Sequence, residues 1–307
     1  MMKLLISVLV LLIAVAPGQG SLESEIQTGP SGVQAGPSQG GELQDEQARA
    51  QLVAAMAQAG IRLDLEAQIV SIPATVQVRQ ELLEYVLCTP RGQGHESLFL
   101  TEVSPTILNA ALLALGMKPG ENVKLAQANL ALRDDQVNER GGPEPGELSA
   151  DVAAAAPNIS LPKGDLLYLY AAWREGEELY FYRVDDLVAN LSTGRTLRRH
   201  GWVFLGSRMV QPRTRRGGEE QPEVFAAEYE GNLINVSFFF SGNTLLTPAA
   251  AECIEQTVWI GNEWLLPASS SPIEFFFSRK RLDTVPDAWR DTLPEVKRAE
   301  SPEASFR

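Results

Sequence analysis

The sequence predicts an α+β fold: a mostly antiparallel, curved sheet of hairpins with one or two packing helices. Short runs of apolar, aromatic and β-branched residues recur between turn residues, as at 166–173 and 273–277. Several of these runs are separated by only a few polar or glycine residues, the usual spacing of a hairpin. One stretch, after Ser104-Pro105, carries helical spacing instead.

The elements follow in order. From residue 42, Leu43, Ala50, Val53, Met56 and Ala57 fall near one helical face, and Gly60 suits a C-terminal cap. Ile61, Leu63 and Leu65 alternate with Arg62 and Asp64, a strand period, and residues 69–72 return as its partner. Residues 82–88 form the next strand. The glycines and proline of 89–94 break it and residues 95–103 resume, so the two read as a hairpin. Ser104-Pro105 starts a helix, with Ser as cap and Pro at the first helical position. Ile107, Leu108, Ala111, Leu112 and Leu115 make its buried stripe, and Gly116 closes it. Residues 166–173 and 179–184 read as a hairpin, and residues 202–207 as a short aromatic strand. Residues 224–229 and 233–240 read as a hairpin turned at Glu230-Gly231-Asn232, and residues 273–277 as a last strand.

Residues 1–20 have the form of a signal peptide. Met1, Met2 and Lys3 precede an apolar run over 4–16, broken only by Ser7, and small residues follow. The run is shorter than the ~20 residues that span a bilayer. The mature chain is expected to be periplasmic or extracellular, with no membrane span. Residues 21–41, rich in Gly, Ser, Pro and Gln, read as a flexible linker. Residues 42–281 read as one domain carrying a surface insertion at 133–164. Residues 282–307, with Pro286, Pro294 and Pro302, read as a disordered tail. The 39 acidic against 26 basic residues give a net charge of -13, which argues against nucleic acid as a partner.

His95-Glu96-Ser97 is the sharpest polar constellation. On a strand, His95 and Ser97 would share one face and Glu96 the other, so the three are no local triad. Ser97 as nucleophile needs a base from another segment. His95 as metal ligand needs two or three more donors, which leaves His200 and carboxylates such as Glu84, Glu102 and Asp185. The structural alternative has His95 and Ser97 bonding the turn and Glu96 pairing with a neighbouring strand.

Trp202 and Phe204 share a strand face, as a binding platform or as core. His95, Glu96, Ser97 and Trp202 are therefore the candidate ligand-binding residues. No catalytic residue, metal or cofactor is assigned. Arg195, Arg198, Arg199 and His200 either bind an anion or pair with Asp185 and Asp186. Tyr168, Tyr170, Tyr180 and Tyr182 either line a ligand face or pair across strands. Cys88 and Cys253 could join as a disulfide in an oxidising compartment; the alternative is two buried thiols. No G-x-S-x-G elbow, P-loop, H-E-x-x-H, C-x-x-C or dinucleotide glycine fingerprint occurs.

The blocks stand in a particular order: Leu83-Glu84-Tyr85, a glycine turn, His95-Glu96-Ser97-Leu98-Phe99, then the Ser-Pro helix. Trp202-Val203-Phe204-Leu205-Gly206-Ser207 follows, then Gly231-Asn232-Leu233-Ile234, residues 262–267 and Ser271-Pro272-Ile273. This set resembles the YdjY-domain family of exported bacterial proteins over roughly residues 45–280. The resemblance implies no established activity. A ferredoxin-like label attached to some members does not transfer, because a cluster needs four cysteine ligands and this chain has two cysteines.

The expected function is an exported, non-catalytic structural or ligand-binding module whose partner is a protein or small ligand. One alternative is a metal-dependent or carboxylate-based hydrolase centred on His95. Another is a subunit of an extracytoplasmic assembly, pairing through a sheet edge or the tail.

Overall fold

The structure, a computed structural model, describes residues 39–125, 159–212 and 221–296. The signal-peptide reading, residues 21–38 of the expected linker and residues 133–158 of the expected insertion lie outside the described residues. A 20-residue helix, α1 (Gln39–Gln58), forms one unit, and the chain from Ala59 onward forms another. Helix α1 takes in residues 39–41, the end of the expected linker.

The second unit is a closed β-barrel, not a curved open sheet covered by helices. Its eight strands are β2 (Ile69–Val76), β3 (Tyr85–Cys88), β4 (Ser97–Leu100), β7 (Leu166–Glu175), β11 (Trp202–Phe204), β14 (Asn232–Asn235), β15 (Leu246–Pro248) and β17 (Pro272–Ser278). Around the barrel they run β2-β17-β7-β11-β15-β14-β3-β4, and β4 returns to β2 through Thr75–Leu100 and Val76–Phe99. That last pairing closes the sheet.

Two further strands hang from the barrel: β1 (Arg62–Asp64) on β2 and β8 (Glu178–Arg183) on β7. Smaller sheets join β5 (Lys124–Leu125) to β6 (Ile159–Ser160) and β12 (Met209–Val210) to β13 (Val224–Phe225). In a third, β9 (Val188–Asn190) lies between β10 (Arg195–Thr196) and β16 (Trp259–Gly261). Strand β6 ties residues 159–160, at the end of the expected insertion, to the body.

Two expected hairpins are not hairpins. Strands β3 and β4 pair in parallel. The chain returns over residues 89–96 before β4 begins, so a short connection is no guarantee of antiparallel neighbours. Residues 226–229, expected as strand, fall in the short helix α4 (Ala226–Glu230), which Gly231 ends in a left-handed conformation at φ 77°. The helix expected after Ser104 is present as α2 (Pro105–Ala114), with Gly116 left-handed just beyond it. Its cap is supplied from elsewhere. Glu228 of α4 accepts the Thr106 N–H at 3.1 Å and the Ser104 hydroxyl at 2.9 Å.

The barrel interior is solid. Residues paired directly across neighbouring strands point to the same face. Tracing those pairs around the ring links Ile72, Phe275, Ala171, Leu167, Trp202, Phe204, Leu246, Ile234, Leu87, Phe99 and Val76. All are apolar and 0 % exposed. Phe99 and Phe275 meet edge to face at 5.7 Å. An eight-stranded barrel is just wide enough for its own side chains to fill it. Trp202, a candidate binding residue, is therefore core.

The outer face of β2, β17 and β7 is half covered. Ser71 and Phe276 lie on it, with Ile69, Tyr170 and Ala172. Val285, Trp289 and Leu293 pack onto it from the segment after β17, which includes helix α5 (Asp287–Arg290). Residues 282–296 are thus a strap, not a disordered tail, and Val296 N–H completes it by bonding Arg174 O at 2.8 Å. Four apolar residues, Val285, Trp289, Leu293 and Val296, spaced by about one helical turn, supply the anchors. Residues 297–307 lie outside the described residues.

Candidate functional site

The His-Glu-Ser block is held by a close backbone approach. The 89–94 turn lies against the α4–β14 turn, where a Cβ on Gly231 would fall 2.5 Å from Gly92 N. Asn232 Oδ1 accepts Gln93 N–H at 3.0 Å and the Cys88 thiol at 3.3 Å. His95 and Glu96 sit in a single 3-10 turn, Gly94–Glu96, rather than on a strand.

The three residues do not converge on one another. The His95 side chain is 73 % exposed, with Nε2 3.8 Å from Glu96 Oε1. Ser97 is fully buried, and its hydroxyl donates to Phe99 O at 2.9 Å, which removes it as a nucleophile. Glu96 instead faces Glu84. Burial first, then the Glu96 carboxylate and a hydrogen bond with it, push the Glu84 carboxyl up to about 7. Among the described residues, no group of three or more His, Cys, Asp or Glu is placed to hold a metal. The donor set that a His95 metal site requires is not assembled there.

The remaining candidates are structural. Cys88 and Cys253 are both buried and free, not joined. Burial pushes Cys88 up to about 12 and Cys253 well above the ordinary thiol value, so neither is a ready thiolate. Asp185 lies buried near the Trp202 indole, and its carboxyl is raised to about 6, chiefly by burial. Trp202 Nε1 and Asp185 Oδ1 do not close a full hydrogen bond. Of the basic cluster, Arg199 binds both Asp186 oxygens at 2.8 Å and Arg198 lies 3.5 Å from Glu252. The tyrosines stabilise the sheet: Trp173 stacks on Tyr180 at 5.5 Å and Tyr170 on Phe181 at 4.8 Å.

The strongest site lies elsewhere, where the strap leaves the outer face. A groove of about 350 Å³ opens between strap residues Thr292 and Pro294, Pro90 and the β4 exit at Leu100–Glu102, and the β2 and β17 residues Pro73, Thr75 and Pro272. Glu274 of β17 lines it and is only 9 % exposed. The directions of its hydrogen bonds are forced. The Trp289 indole can only donate, and it reaches Ser71 Oγ at 2.6 Å. The Ser71 hydroxyl therefore donates onward to Glu274 Oε1.

No described residue donates to Oε2. Burial raises the Glu274 carboxyl, against the opposing pull of Ser71 and Arg62. Arg62 does not enter the groove; its guanidinium bonds Thr292 Oγ1 and Ala288 O and stacks 4.7 Å over the Trp289 ring. Glu102 was considered from sequence only as a metal ligand, and it lines this groove. Glu274 was missed, because in sequence it is one polar residue within an aromatic strand.

The comparison with known families fits this architecture to one name. The YdjY domain model matches residues 61–278. The chain belongs to the YdjY domain family. The match begins beside β1 and ends with β17, so the YdjY domain is the barrel, and the strap lies just beyond it. No curated protein and no solved structure matches the chain. No helix among the described residues is long and apolar enough to cross a membrane.

Proposed function

We propose that this YdjY domain is an exported, non-catalytic ligand-binding module that holds its ligand in the groove between the barrel and the strap. The observation that carries this reading is the Glu274 carboxyl, which lines the groove with one oxygen accepting the Ser71 hydroxyl and the other without a donor among the described residues. A carboxylate with acceptor capacity left over makes its strongest hydrogen bond to a charged donor. The solid barrel interior supports a site on the outside. The apolar leader in the sequence supports export.

The test expresses the full chain in an exporting bacterium and recovers it outside the cytoplasm, with its new N-terminus expected near Ser21. Saturation-transfer NMR then screens monosaccharides, amino acids, diamines and short peptides. Thr75→Trp, which fills the groove from an exposed position, should abolish the signal of a bound class without changing the thermal unfolding temperature. No binding across the panel, or binding indifferent to Thr75→Trp, would remove the reading.

A further inference from the structure

The lining of the same groove carries information about the chemistry of its occupant. This inference rests on the groove being the binding site.

Two carboxylates, Glu274 and Glu102, line the groove, and no lysine or arginine does. Arg62, which acts on Glu274 by its charge, has its guanidinium committed to the strap through Thr292, Ala288 and the Trp289 ring and is not part of the lining. Glu274 Oε1 already accepts the Ser71 hydroxyl, whose direction is set by the Trp289 indole. The carboxylate therefore asks for a donor at Oε2, and a charged donor answers both its hydrogen bond and its charge.

The remaining lining is proline, threonine and the aliphatic residues Ala74, Leu100 and Ile273, which offer apolar contact to a methylene stem with hydroxyls at intervals. A sugar would meet few of the planar donors and acceptors that polyol recognition uses. An anion would meet two carboxylates and no cation.

We infer that the groove takes a primary alkylammonium group, the chemistry shared by a lysine side chain and a free diamine. The ammonium sits on Glu274 Oε2, its stem lies along the proline walls, and Glu102 adds long-range attraction from the β4 exit.

The test titrates the full chain, by NMR and calorimetry, with three probes. Nα-acetyl-lysine-N-methylamide represents the peptide source and cadaverine the free diamine. Nα-acetyl-norleucine-N-methylamide keeps the stem and lacks the charge. The lysine probe, cadaverine or both should bind, and the norleucine probe at least tenfold more weakly or not at all. Stronger binding by the lysine probe than by cadaverine assigns the peptide source; the reverse assigns the diamine.

Glu274→Gln, nearly isosteric, should lose at least tenfold in affinity with its unfolding transition intact. Glu102→Gln should lose a few fold. Equal binding of the norleucine probe, or undiminished amine binding by Glu274→Gln, overturns the inference. So does the absence of amine binding. In that case a Thr75-dependent signal from another ligand class would leave the groove standing and discard only the ammonium, whereas no signal at all would discard both.

Discussion

Two carboxyl sites on this barrel are both partly withdrawn from water, and they differ in how their charge is compensated. At the β3–β4 end, Glu84 faces Glu96, and burial together with the neighbouring carboxylate raises Glu84 so that it holds its proton to higher pH. In the groove, no carboxyl is hydrogen-bonded to Glu274, and burial alone raises it. Ser71 satisfies one oxygen, Arg62 acts from a distance, and the other oxygen remains open. A perturbed carboxyl alone therefore does not mark a site. The informative case is the one whose compensation is incomplete at a concave surface.

The largest expected effect tests whether the groove depends on the strap. Trp289 is 3 % exposed, contacts Phe276 and anchors the Ser71 bond. Trp289→Ala should cost ~3–5 kcal/mol in denaturant unfolding and loosen the groove wall, while the pH response of the Glu84 pair stays. A cost below about 1 kcal/mol would mean that the strap is not part of the folded unit.

A smaller effect isolates the raised Glu84 carboxyl. The folded-state value of Glu84, about 7, lies above its ordinary 4.5, so the folded chain holds the proton more tightly. Stability should then be greatest below pH 4.5 for this group and fall as the pH rises toward 7. The full shift would be worth ~3 kcal/mol; because Glu84 is half exposed, a cost on the order of 1 kcal/mol is expected at pH 7.5. Glu84→Gln should recover that amount at pH 7.5 and flatten the slope, leaving the part due to Asp185 between about pH 4 and 6. An unchanged pH profile of the unfolding temperature would refute the raised Glu84 carboxyl.

The smallest effect is at His95. With its side chain largely in water and one long contact to Glu96, His95→Ala should change stability by less than ~0.5 kcal/mol and leave groove binding unaltered. Loss of binding in that variant would reverse the comparison and return the site to the glycine turn.

Much of the local structure was legible in the sequence. Alternation marked β1 and β2, and the long apolar runs marked β7 and β17. The Pro at the start of α2 and Gly116 after it bounded that helix. These signals rest on neighbours within a few residues. The His95 block was also legible as a turn feature, but its 3-10 geometry reverses the facing assigned to a strand. The disulfide reading failed for a related reason: spacing along the chain says nothing of the distance between Cys88 and Cys253.

The sequence by itself determined where the chain can be extended, where it must turn, and that it carries the YdjY pattern. Periodicity and turn chemistry are local properties that each segment expresses without its partners. Tertiary structure alone decided the rest. Closure depends on β2 meeting β4 at Val76 and Phe99, and the parallel pairing of β3 with β4 depends on where the 89–94 turn docks. The site depends on Ser71, Glu274 and Trp289, separated by 203 and 218 positions from Ser71. Their hydrogen bonds exist only because barrel closure and strap packing bring distant segments to one face, a long-range selection that no short window of sequence encodes.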